Sequence, residues 1–174
     1  MKSLGQKYCE YLELIITEVI PVLESLGEEH LEFKEANKKW NRKVILGHLI
    51  DSAYNNHQRF LRVQGQQNLV FRGYDQDLWA DSNRYASREA HEVINTFKVV
   101  QLHLALLIGN LEDELILKVH KVHNLDKIGM SARSSESPTP LSFLIWDYLF
   151  HLEHHLAQII PNYESLIPTE YLRT

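Results

Sequence analysis

Pro140 and Pro161 bracket a long run that holds neither proline nor glycine inside it. A helix can start at the first proline and cannot pass the second, so this segment predicts one uninterrupted helix. With about 100° per residue and His151 set at 0°, Leu141, Ile145, Tyr148, Leu149, Leu152, Leu156 and Ile159 fall in an arc of roughly 60–160°. His155 lies at roughly 40°, Asp147 at 320° and Gln158 at 340°, so they join His151 in a polar stripe along one edge of the apolar face. His154 falls at roughly 300°, further toward solvent. His151 and His155, one turn apart, are therefore the pair that can grip one metal ion. A histidine pair with no third ligand is more often a polar edge of a core helix than a metal site.

Three other stretches carry helical periodicity. Residues 3–26 place Leu12, Ile15, Ile16, Val19, Val22, Leu23 and Leu26 on one face, with Pro21 expected to kink the last turn and Gly27 to end it. Residues 28–39 read as a charged connection. Asn41 is a good N-cap for a second helix to about Gln64, with Gly65 as its stop. Its buried stripe is Ile45, Leu49, Ala53, Asn56, Phe60 and Val63, and beside it run His48, Ser52, Asn55 and Arg59. Taken alone, that polar stripe is an exposed flank.

Residues 65–86 read as a long loop in which Tyr74 and Trp79 offer aromatic surface for lining a pocket or closing a bundle end. A third helix is expected from Ser87, as N-cap, to Ile108. Residues 111–125 read as an extended arm or short strand, with His120 and His123 assigned to no site. The Ser-rich stretch 130–138 reads as a mobile linker, Thr139 as the cap of the last helix, and residues 162–174 as a loosely packed tail. Four amphipathic helices in 174 residues predict one all-α domain, 1–174, folded as a four-helix bundle with a long loop between helices two and three.

Composition narrows the function classes. A formal charge of −5 with no basic patch argues against nucleic-acid binding. The single cysteine, Cys9, permits no internal disulfide and suits a reducing compartment; its expected role is a small core residue. No secretory signal and no run of about 18 apolar residues are evident, so the protein is expected in the cytoplasm and off the membrane.

His48 on helix two, with His151 and His155 on helix four, makes a three-imidazole set if the two polar edges face each other. The segments Lys39-Trp40-Asn41 through His48 to Phe60, Gly73-Tyr74-Asp75-Gln76 with Trp79, and Tyr148 through His151 and His155 to Ile159 resemble the DinB/YfiT-like metalloprotein superfamily. The resemblance covers roughly residues 1–165 and implies a four-helix bundle that binds a divalent metal through His48, His151 and His155. It also implies a thiol transferase using a bacillithiol- or glutathione-like thiol, a metal-dependent hydrolase, or a metal-binding stress protein. A metal-free association bundle is a further alternative. Imidazole suits zinc, nickel, iron or copper, so spacing does not name the metal; zinc or nickel is taken first, with iron or manganese as alternatives. Asp147 is a candidate ligand orienter or general base, and Asn55, Arg59 and Gln158 are candidates to position a substrate. Arg59 is equally suited to an ion pair with Asp147. Thiol transfer to a small electrophile is the preferred reading, since no strong base for hydrolysis is evident, with a homodimer as the candidate assembly.

Overall fold

The computed structural model describes residues 2–167 and is built from helices, with one two-stranded ladder. In chain order they are α1 (Leu4–Glu32), α2 (Arg42–Arg62), α3 (Gln76–Ser82), α4 (Ala90–Gly109), α5 (Asp113–Leu117), β1 (Val119–His120), α6 (Leu125–Ile128), β2 (Thr139–Pro140) and α7 (Leu141–Ile159). The four long helices are the expected ones. Burying each apolar stripe sets their contacts: α4 packs on α1 and α2, and α2 packs on α7. The short helix α5 lies against α7 and α1.

Local chemistry explains most boundaries. Ser3 and Gln6 form a reciprocal capping box at the start of α1. Gly27 breaks α1 with φ 75° and ψ 172°, a conformation glycine adopts without steric cost. Helix resumes beyond it to Glu32, so part of the expected connection 28–39 is helical. Asn41 caps α2 as expected, its side chain accepting from Val44 N at 2.8 Å.

Several expectations are corrected. The loop 65–86 contains α3, capped by Asp75, and a 3₁₀ turn over Tyr85–Ser87. Ser87 belongs to that turn, and α4 begins at Ala90, whose amide donates to the carboxylate of Glu28 at 2.7 Å. A remote acid on α1 thus does the work expected of a local serine. Thr139 is paired with His120 in the β-ladder, leaving Pro140 as the N-cap of α7 with no side-chain cap. Val22 is 38% exposed rather than core. The segment 162–167 is docked, because Glu153 accepts from Tyr163 Oη at 3.0 Å and Leu166 N at 2.7 Å and Ile167 is buried. Residues 168–174 of the expected loose tail lie outside the described residues. The helix α4 has a mean hydropathy of 1.3 over an 18-residue window, long and apolar enough by composition to span a bilayer, although polar residues from His91 to His103 interrupt it. Here its face from Val93 to Ile108 is spent on α1 and α2.

Gly47 matters for the site that follows. A Cβ there would come within 2.1 Å of the Tyr85 ring, so only glycine lets that ring pack against α2 next to His48.

Candidate metal centre

The edges of α2 and α7 do face each other. His48 is buried on α2, and His151 and His155 project from successive turns of α7. Ring centroids are 5.0 Å apart for His48–His151, 5.0 Å for His48–His155 and 4.6 Å for His151–His155, each pair near edge-on. One ring nitrogen from each lies within 4.8 Å of the others, and His48 Nε2 is 3.1 Å from His151 Nε2. Tetrahedral ligands at about 2.0–2.1 Å from zinc would be spaced by about 3.3 Å, close to that separation. The Nδ1 atoms of His48, His151 and His155 are buried without a hydrogen-bond partner. Three convergent imidazoles whose polar atoms are not otherwise satisfied fit a divalent cation.

The electrostatics agree. Burial, then the charge of His155, lowers the His48 pKa to about 4. Burial lowers His151 to about 2, with further pushes from His155, His48, His154 and Arg59. Burial and His154 lower His155 to about 4. All three are therefore neutral at physiological pH, the state that binds metal. His154 is exposed, as its angle on the helix requires, and its Nε2 lies 2.9 Å from Gln158 Nε2.

A cavity of about 290 Å³ opens beside the histidines and is lined by Ser52, Asn56, Arg59, Tyr74, Asp147 and Tyr148, among others. Tyr74 reaches it from the segment before α3, with Trp79 packed behind at 4.8 Å between centroids. Asn56, read from the sequence as core, takes the place expected of Asn55, which instead donates to Asp51 O at 2.9 Å. Gln158 lines a separate cavity near Trp40 and Pro161. Sequence periodicity missed Asn56 because it sits at the border of the two stripes, where side-chain direction and not angle decides. Tyr148 was counted as apolar surface, yet its hydroxyl donates to Gln101 Oε1 inside the core.

Asp147 is buried and accepts from Met130 N at 3.0 Å and Ser131 N at 2.6 Å. It pins the start of the supposed mobile linker against α7. Each of its oxygens accepts one backbone amide. No contact of 4 Å or less joins it to Arg59 among the described residues, so the alternative ion pair is not formed. Asp51, unremarked in the sequence, is a second buried carboxylate on α2. Its Oδ1 accepts from Asn83 at 2.9 Å and Tyr85 at 2.8 Å, and burial raises its pKa to about 6.

The sequence model of the DinB superfamily matches residues 11–159, which include all three histidines. The chain belongs to the DinB superfamily. Among solved structures it is similar to YfiT from Bacillus subtilis, described as "a probable metal-dependent hydrolase with an unusual four-helix bundle topology". The match has a TM-score of 0.70 at 18% identity and covers 89% of this chain and 83% of that one. No curated protein matches the chain. At that identity the likeness carries the fold; the donor set rests on the geometry above.

Proposed function

We propose that this DinB-superfamily protein is a hydrolase dependent on a divalent metal held by His48, His151 and His155. The observation that carries the reading is the convergence of three neutral, buried imidazoles on one point beside a small-molecule-sized cavity. A divalent ion held by these three histidines would supply Lewis-acid chemistry and activate water near neutral pH. The chain's own residues do the rest. The α2 cap at Asn41 and the Tyr85 ring over Gly47 hold His48 in place. Asp147, through the amides of Met130 and Ser131, keeps the cavity wall closed next to the histidines, which makes it a positioning residue. Ser52 lines the cavity, and Asn56, which donates to Ser52 O and accepts from Arg59, steadies that wall.

Hydrolysis is favoured over thiol transfer because the solved relative is described as a metal-dependent hydrolase and no observation here singles out a thiol site. Zinc or nickel is the proposed ion, and the cytoplasm the proposed compartment, on the donor set and the single cysteine. The test has two stages. Elemental analysis of the purified protein should find about one divalent ion per chain. A panel of small esters and amides should then turn over, stop on chelation and resume on metal addition. Metal without turnover, together with a thiolate-to-metal charge-transfer band when bacillithiol or glutathione is added to the cobalt form, would assign thiol transfer instead.

A further inference from the structure

We infer that Arg59 is the specificity-determining residue of the cavity, and that the substrate carries a carboxylate remote from the bond that is cleaved. The inference rests on the metal-hydrolase reading and deepens it. Arg59 is 7% exposed, yet none of the described carboxylates lies within 4 Å of its guanidinium. Its Nη1 donates to Asn56 Oδ1 at 3.3 Å, while its buried Nε has no partner. A buried, half-satisfied cation is costly to keep, and native proteins seldom keep one without use. Burial disfavours its charge, and Tyr74 and then Asp147 are near enough to favour it. Asp147 accepts from the amides of Met130 and Ser131 and makes no ion pair with it.

Position points the same way. Arg59 lies three turns beyond His48, about 16 Å of helix axis. Its side chain leans back toward the helix N-terminus, as helical side chains do, and lines the same cavity as the three histidines. With Nη1 bonded to Asn56 and Nε unpartnered, the guanidinium that lines the cavity keeps donors to spare for a planar carboxylate. Arg59 is also the sole Lys or Arg among the residues lining this cavity. One cation matches a monoanionic carboxylate better than a phosphate, whose sites gather several donors. A cavity of about 290 Å³ sits at the small end of ligand sites, so a compact molecule bridges the two points.

The experiment is calorimetry on the zinc-loaded protein, with zinc content and Tm measured for every variant. The probes are N-acetylglycine, N-acetyl-β-alanine and N-acetyl-γ-aminobutyrate, each against its neutral primary amide, with inorganic phosphate as a further arm. At least one carboxylate should bind about ten-fold tighter than its amide, the size expected of a buried charge-assisted pair. Arg59→Met should abolish that preference while leaving zinc content unchanged and Tm unchanged or raised. If Arg59→Met does not fold, Arg59→Gln carries the same test. Equal binding of acids and amides by the wild-type protein overturns the inference. So does a preference that survives loss of Arg59, which would mean that zinc receives the anion. Phosphate binding tighter than every carboxylate overturns the carboxylate assignment. Because binding is read directly, the two readings fail separately. A carboxylate preference without any turnover removes the hydrolase and keeps the role of Arg59, whereas turnover of neutral esters with no such preference removes only the latter.

Discussion

His48, His151 and His155 meet at the α2–α7 seam, whereas His120 and His123 are buried beside the small β-ladder, and the two groups spend their nitrogens differently. In the ladder group, His120 Nδ1 lies 2.8 Å from Gln67 O and His123 Nε2 lies 2.9 Å from Ser137 O. Leu125 N donates to His123 Nδ1 at 3.4 Å, which assigns the proton of that ring to Nε2. These rings tie loops to one another. In the seam group the Nε2 atoms of His48 and His151 face each other, and all three Nδ1 atoms are buried without a partner. A buried nitrogen without a partner does not by itself mark a ligand, since His120 Nε2 has none either; convergence of three such rings on one point does.

The sharpest way to break this contrast is to exchange the mutations. His48→Ala, His151→Ala or His155→Ala should each reduce metal content from about one per chain to near zero and abolish turnover, measured by elemental analysis and ester hydrolysis. Metal retained after all three changes would erase the distinction between the groups.

Next in size is the response of the metal-free protein to acid. The seam imidazoles have folded pKa values of about 4, 2 and 4, below the unfolded value of about 6.5. Protons then prefer the unfolded chain, so the stability these groups contribute is present above pH ~6.5 and is lost as pH falls toward ~4. The loss should be on the order of a few kcal/mol at pH ~5, read from urea midpoints. Replacing all three histidines by Gln should flatten the profile, and a profile as steep as before would place the titration elsewhere.

Asp147→Ala should cost about 2–4 kcal/mol by orphaning the amides of Met130 and Ser131, with Asp147→Asn costing less because one acceptor remains. A large fall in turnover for Asp147→Asn at unchanged Tm would assign it the role of a base. His123→Ala should cost about 1–3 kcal/mol in thermal unfolding and leave metal content alone. The smallest effect belongs to His154→Ala, within about 0.5 kcal/mol and with metal retained, since the ring is exposed and touches only its neighbours on the helix.

The four helices and the turning of His155 inward and His154 outward were legible in the residues alone, because a helix turns by a constant angle and sorts its own faces. Asn41 as a cap was legible for the same local reason, whereas Gly27, expected to end α1, only interrupts it. That α2 and α7 bring their polar edges together, so that His48 meets a pair more than a hundred positions away, depends on which apolar stripes bury each other. So do the cap that Glu28 lends to α4, the capture of Asp147 by two backbone amides and the lack of an ion pair at Arg59 among the described residues. A hydrogen bond between remote segments leaves no periodic trace along the chain, and only packing decides whether a polar group on a helix edge meets a partner, water or nothing.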